Sequence, residues 1–368
     1  MPTFFILLFV LYIGGNCYIN LRGWQAVTLL PLGAKVLLSL LQWGAVSLLF
    51  ISFWGWHQEI SVSKMQMIQL VGTGWLAFTF YMVMLLMVFD LLRVINIIIP
   101  YRFFVSLALV ISLLAYGYYH YCHPDIKVIN MVINKPVSMQ STRPMRIMAI
   151  SDVHLGYGTH KKQLQHYVEA INQQQPDLIV IAGDLIDNNI IPVETAHMEE
   201  ELNQLKAPCG IYMVPGNHEY ISGLYKCANF LRQTKVCLLR DSVVSLPNGL
   251  QLIGRDDRSN RNRESLATLM QQIDSRQPTL LLDHQPYQLE ETVDNRIDLQ
   301  FSGHTHHGQI WPLSLITDHL FTVSYGCRQM KQSHIYVSSG LSLWGPPFRI
   351  GTDSEMVLFQ ITFNPTSK

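Results

Sequence analysis

The segment Phe301–Gln309 reads Phe-Ser-Gly-His-Thr-His-His-Gly-Gln, with three histidines inside four positions. Neutral imidazole is the commonest metal-ligand side chain, and flanking glycines let backbone approach an ion closely. A lone His-X-His is a weak signal, because a solvated turn can carry the same spacing. Four more clusters of ligand-type residues lie upstream. Asp152 and His154 follow the apolar run Arg146–Ser151, and Asp184 and Asp187 follow Leu178–Ala182. Asn217, His218 and Glu219 come after Gly210–Val214, and Asp283 and His284 after Thr279–Leu282; His304 and His306 themselves follow Leu299–Ser302. Each run is short and apolar, which predicts a buried strand. Singly, each cluster has a structural explanation: Asp after a strand caps the next helix, and Gly-Asp or Gly-Asn is turn chemistry. Five in order, all at carboxyl ends of strands and all supplying Asp, Asn or His, point to a metal centre, since ligands in α/β sheets gather there.

The elements that must position these groups alternate. Helices are predicted over His160–Gln173, Glu194–Leu205, Ser222–Gln233 and Glu264–Ile273. Ser242–Leu246 and Leu250–Ile253 flank Pro247-Asn248-Gly249, a hairpin signal. His334–Ser338 and Glu355–Thr362 complete the strands. Ile126–Val137 alternates and carries Lys, Asn and Pro, as an edge strand does. Ser138–Pro144 reads as a linker. Alternating strand and helix predicts a layered α/β domain.

The first 123 residues have a different solvent. Only seven of the 52 charged side chains fall there: Arg22, Lys35, Glu59, Lys64, Asp90, Arg93 and Arg102. Four uncharged stretches, Pro2–Leu21, Val36–Trp56, Met65–Phe89 and Phe103–Tyr121, approach the roughly 20 residues needed to span a bilayer. Trp24, Trp54, Trp56, Tyr101, Tyr118, Tyr119 and Tyr121 sit near their ends, as an aromatic belt would. The first stretch lacks the basic start and small-residue cleavage site of a signal peptide. No carboxylate lies inside the stretches, which argues for an anchor over a pump or transporter. The turns after spans one and three carry Arg22, Lys35, Arg93 and Arg102, against Lys64, Lys127 and Lys135 on the other side. The positive-inside rule therefore places the second domain outside the cytoplasm. Zero net charge argues against a nucleic-acid partner. The six cysteines form no Cys-X-X-Cys pair, so neither a zinc ribbon nor a redox motif is expected.

The series Asp-X-His, Gly-Asp-X-X-Asp, Gly-Asn-His-Glu, His-X-Pro and Gly-His-Thr-His resembles the calcineurin-like metallophosphoesterases. The motifs cover Arg146 to Gln309; Ser339-Gly-Leu and Pro346-Pro-Phe-Arg349 look like that family's closing segment. With spans in front, the chain is similar to the membrane-bound bacterial branch, which includes phosphohydrolases of lipid-linked or cell-envelope phosphoesters. The resemblance implies a four-layer αββα sandwich over residues 145–368, after a four-helix membrane domain (1–123) and a linker with edge strand (124–144). It implies two divalent ions, one on Asp152, His154 and His306, the other on Asn217, His284 and His304, with Asp184 bridging. His218 matches the family's general acid, Asp187 and Glu219 would orient ligands or His218, and Arg349 would contact a substrate phosphate. The related branch has Gly where this chain has His307, which puts a polar ring beside the pocket. Two adjacent ions clamp the attacking and leaving oxygens of an in-line displacement at phosphorus, and a metal-bound water becomes the nucleophile near neutral pH. Mixed N/O ligands without thiolate suit Mn, Fe or Zn.

The expectation is a multi-pass, membrane-anchored hydrolase of a phosphomonoester, phosphodiester or pyrophosphate, with the bilayer as its partner. One rival is a pyrophosphatase acting on a lipid-linked precursor. The other is a membrane sensor that uses the fold only for binding, against which the intact His218 speaks.

Overall fold

In the computed structural model the described residues are 2–54, 60–137 and 143–364, the side chains of 2–5 and 54 excepted. Trp56, the side chain of Trp54 and residues 138–142 of the expected linker lie outside them. The chain divides into two compact units, residues 1–119 with 345–350, and residues 120–344 with 351–368.

The first unit is built on four helices: α1 (Pro2–Ala26), α2 (Leu32–Trp54), α3 (Val62–Val94) and α4 (Arg102–Cys122), whose last residues belong to the second unit. All four are long and apolar enough to cross a membrane. Each outlasts its charge-free stretch, and α3, at 33 residues, is about 50 Å long against a hydrocarbon core of about 30 Å. Asp90, just beyond the third stretch, therefore falls inside α3, where it pairs with Arg22 of α1 and Arg102 of α4 and accepts from the Tyr18 hydroxyl. The interior is tied by hydrogen bonds rather than by apolar contact alone, as helices surrounded by lipid require. Asn16, fully buried, donates to Tyr12 O and accepts from Trp75 Nε1 at 3.0 Å, while Gln42 Nε2 donates to its carbonyl. At Gly72 a Cβ would lie 2.7 Å from Leu49 N, so only glycine lets α3 approach α2 this closely. Residues 345–350 complete the unit. Thr73 Oγ1 donates to Gly345 O, Phe348 lies beside Gly74, and Arg349 N donates to Gly117 O at 2.9 Å.

The second unit holds two six-stranded mixed sheets. Its elements run β1 (Asp125–Ile133), β2 (Met145–Ile150), α5 (Lys161–Gln173), β3 (Leu178–Ala182), α6 (Ile191–Thr195), α7 (Glu199–Leu202) and β4 (Ile211–Val214). They continue with α8 (Asn217–Ser222), α9 (Leu224–Leu231), β5 (Val236–Leu238), β6 (Ser242–Ser245), β7 (Gln251–Gly254), α10 (Leu266–Met270), β8 (Thr279–Leu282) and α11 (Leu289–Asp294). β9 (Leu299–Ser302), α12 (Leu313–Leu320), β10 (Gly326–Met330), β11 (Ser333–Val337) and β12 (Glu355–Phe363) close the chain. One sheet has the order β1-β12-β2-β3-β4-β5, the other β10-β11-β9-β8-β7-β6. β1 lies at an edge, as its mixed composition predicts.

Alternation of side chains across the strands builds the layers. On one face Met148, Ile179 and Met213 pack with Leu164, Leu202 and Phe230 of the helices. On the other, Ile147, Val180 and Val214 meet Leu252, Leu280 and Phe301 of the second sheet. The far face of that sheet, Ile253 and Leu281, packs under Leu266 and Leu269 of α10. The result is the αββα order. β2, β3 and β4 run parallel in one sheet, and β7, β8 and β9 in the other.

Two expected helices are divided. Glu194–Leu205 is broken where His197 takes φ 51°; α6, before the break, starts at Ile191 with Pro192 in its first turn. Ser222–Gln233 is cut by Gly223 at φ 98°; α8 takes the residues before it, starting at Asn217, and α9 those after. All six cysteines are free.

Candidate metal centre

Each ligand-type residue sits where a strand ends and the backbone turns sharply. Asp152, His154, Asp184, His304 and His306 all have positive φ, between 47° and 73°. Such conformations are uncommon outside glycine and tolerated best by Asp, Asn and His. The neighbouring glycines have no room for a side chain. A Cβ on Gly216 would stand 2.2 Å from Asp184 Oδ1, and one on Gly303 2.2 Å from Asp152 Oδ2.

These turns bring together two adjoining sets of donor atoms. In the first, His154 Nε2 lies 3.2 Å from His306 Nε2 and 3.9 Å from Asp152 Oδ1, and His306 Nε2 is 3.5 Å from Asp152 Oδ1. In the second, His284 Nε2 lies 3.2 Å from Asn217 Oδ1, which is 2.9 Å from His304 Nδ1. Asp184 Oδ2 stands between them, 3.9 Å from His154 Nε2 and 3.2 Å from His284 Nε2. Asp152, His154, Asp184 and His284 are fully buried.

Other groups hold these in place. His284 Nδ1 donates to Ala182 O at 2.7 Å, which leaves Nε2 for the cluster. One oxygen of Asp187 lies 3.3 Å from His154 Nδ1 and 3.0 Å from His218 Nδ1, so a single carboxylate orients both rings. The buried Glu219 carboxylate accepts from the main-chain N–H of Gly216, Asp184 and Ile186 at 2.7–3.0 Å. Asp184 Oδ1 in turn accepts from His218 N.

The charge balance is tight. Burial, and then Asp184, push Glu219 up to about 7. Burial likewise raises Asp152. Burial opposes the charged form of His218 as well, but Asp184 and Asp187 outweigh it and push that imidazolium up to about 9. Burial and the neighbouring His284 lower His304 to about 4. A neutral His304 beside anionic carboxylates is a ready donor to a cation.

His307 and Arg349 differ from the other expected site residues. The His307 ring stacks on Tyr325, centroids 4.7 Å apart, and its Nε2 is 3.5 Å from Asp318. Arg349 is fully buried and lies in the segment that packs with the four helices. Three aromatic groups beside the cluster were not foreseen. The Trp344 indole is 6.2 Å from the His218 ring, and Tyr287 and Phe321 lie 6.5 and 6.3 Å from that of His304. A buried network was also missed. Asp283 pairs with Arg255 and Arg263, and Asp257 accepts from Gln285. Its signal was present, since Arg255-Asp256-Asp257 is one more acidic cluster at a strand's carboxyl end.

A calcineurin-like phosphoesterase family model matches residues 145–308. An uncharacterized metallophosphoesterase of Helicobacter pylori (strain J99) is 34% identical over 268 residues, 70% of each chain. A transmembrane protein with metallophosphoesterase domain from Danio rerio is 29% identical over 68% of this chain and 61% of its own. Among solved structures, a dimetal phosphatase from Danio rerio aligns with 60% of this chain and all of its own at TM-score 0.37 and 12% identity. The chain belongs to the calcineurin-like metallophosphoesterases, metal-dependent phosphoric ester hydrolases, and carries membrane-type helices ahead of the catalytic unit.

Proposed function

We propose that the chain is a membrane-anchored dimetal phosphoesterase that cleaves a phosphomonoester, phosphodiester or pyrophosphate bond. The observation that carries this reading is the meeting of two donor sets on Asp184 Oδ2, with His218 beside them. Asp152, His154 and His306 would hold one divalent ion, Asn217, His284 and His304 the second, and Asp184 both. The donors fit such ions chemically: imidazole, carboxylate and amide oxygen without thiolate suit Mn, Fe or Zn. The ions, when bound, supply Lewis acidity at phosphorus and an activated water at neutral pH.

The chain's own residues do the rest. Asp187 faces His218 Nδ1, so Nε2 is the atom left to give a proton to the departing alkoxide. Glu219 ties the turn that carries Asp184, after β3, to the turn that starts α8, after β4, and so sets the distance between the proposed bridging carboxylate and the acid. A second reading has one observation in its favour. Trp344 is about half exposed beside His218, a surface suited to an amphiphilic leaving group such as a lipid-linked pyrophosphate.

The test is hydrolysis by full-length protein, with Mn added, of a small chromogenic phosphodiester and a micellar lipid pyrophosphate. Asn217→Ala and His218→Ala serve as controls. Turnover of the small ester, lost in both variants, is the expected result for a broad phosphoesterase. Turnover of the lipid alone selects the second reading. No turnover of either by protein with both metals bound sinks the enzyme reading and leaves a sensor.

A further inference from the structure

Three arginines of the helical unit gather around one cavity. Its volume is about 300 Å3, and Arg22, Arg93 and Arg102 line it together with apolar Leu86, Phe89 and Phe103. One carboxylate faces these three cations. Asp90 pairs with Arg22 and Arg102, and the Tyr18 hydroxyl donates to the same group. Arg93 is exposed and has no ion pair among the described residues. The cluster therefore keeps an excess of two positive charges. Arg22 also keeps a buried Nε without an acceptor, a costly state for a charged donor unless something supplies one.

The backbone adds to this charge. Arg102 and Phe103 open the 21-residue α4, so the cavity borders the positive end of a helix dipole; Tyr101 O accepts from Phe104 N and Val105 N, and the N–H groups of Arg102 and Phe103 precede that first bond. The bordering helix ends are the C-terminal turns of α1 and α3 and the N-terminal turn of α4. These are ends of membrane-spanning helices, where lipid headgroups lie. Guanidinium forks and a helix N-terminus are what phosphate oxygens bind best, and the apolar walls suit the first carbons of acyl chains. The same arginines are three of the four basic residues on the side that the positive-inside rule assigns to the cytoplasm, whose leaflet is rich in anionic lipid.

We propose that this cavity binds the phosphate headgroup of an anionic membrane phospholipid, with Arg93 supplying the charge that no carboxylate among the described residues neutralises. The phosphate chemistry is shared with free inorganic phosphate, so the experiment separates the two sources. Full-length protein is reconstituted in nanodiscs of phosphatidylcholine carrying a small fraction of phosphatidylglycerol, then extracted in mild neutral detergent. Native mass spectrometry counts the lipid retained. The expected result is one phosphatidylglycerol per chain, retained at least tenfold over its bulk fraction. Arg93→Glu removes that retention, and Arg93→Lys keeps most of it. Because Arg93 is exposed and unpaired, its variants are not expected to unfold the unit; circular dichroism and melting temperature check this. Millimolar inorganic phosphate leaves the lipid in place. Equal retention of both lipids by the wild type overturns the proposal, as does unchanged retention in a folded Arg93→Glu protein. Displacement by inorganic phosphate overturns the lipid assignment and makes the cavity a soluble-anion site.

Discussion

His218 is held by two carboxylates with different duties. Asp187 stands 3.0 Å from its Nδ1 as an ion-pair partner, and Asp184 accepts from its main-chain N–H and lends negative charge. Together they keep the ring protonated at pH values where a free imidazole, near 6.5, has lost its charge. A general acid must be protonated to act, so the rate should fall as pH rises through its pKa. Cations held on Asp184, as proposed, would offset part of the charge that raises His218, so the falling limb for an alkyl phosphoester is expected between about 6.5 and about 9. His218→Asn should remove that limb and cut kcat by about 10²–10⁴-fold for a poor leaving group. For a nitrophenyl ester, whose leaving group needs no proton, the loss should be much smaller. A pH–rate series on the two substrates checks both points. Equal losses on both would mean that His218 only supports the fold.

At the scale of elements, the site is a property of strand ends. β2, β3 and β4 in one sheet, and β8 and β9 in the other, stop in register, and the tight turns that follow aim short polar side chains at one point. Glycine is required where that point is most crowded. Gly303→Ala puts a methyl group 2.2 Å from Oδ2 of Asp152, one of the proposed ligands. It should lower bound metal per chain by at least tenfold, read by elemental mass spectrometry, while circular dichroism stays near that of the wild type. Full metal content in this variant would show that the turn can relax.

This geometry explains what the chain's letters disclose. Apolar runs four to six residues long, followed by Asp, Asn or His, are legible because burial and ligand chemistry both write themselves into residue type. Gly223 and His197 were harder to read. A helix ends there through one backbone angle, and neither residue announces that angle by itself. Trp344, Tyr287 and Phe321 were invisible for another reason: an aromatic residue in a loop looks the same whether it faces a metal site or solvent. Arg349 carries the converse lesson. Its place in a segment like the family's closing one implies a phosphate contact, and the letters do not disclose that this segment groups with the helices.

For the whole molecule, charge asymmetry yields a topology prediction. With Arg22, Arg93 and Arg102 clustered at one end of the helices, the positive-inside rule predicts that end in the cytoplasm and the second domain outside it. Cys237 and Cys327 are exposed in the second unit and supply native reporters. In intact cells whose outer barriers have been opened, a membrane-impermeant maleimide should label both without lysis. Labelling that appears only after lysis would invert the topology.

The path of residues 345–350 has a consequence for biosynthesis. Thr73, Gly74 and Gly117 meet this segment inside the helical unit, although nearly the whole second unit is translated between Gly117 and Gly345. The four helices can enter the membrane early, but their native packing waits for residues 345–350, which the ribosome makes more than 200 residues after α4. Chains that stall or are cut before Gly345 would be inserted and yet incomplete, with the surface around Gly74 and Gly117 left open. A cell could use that surface to tell finished copies from unfinished ones.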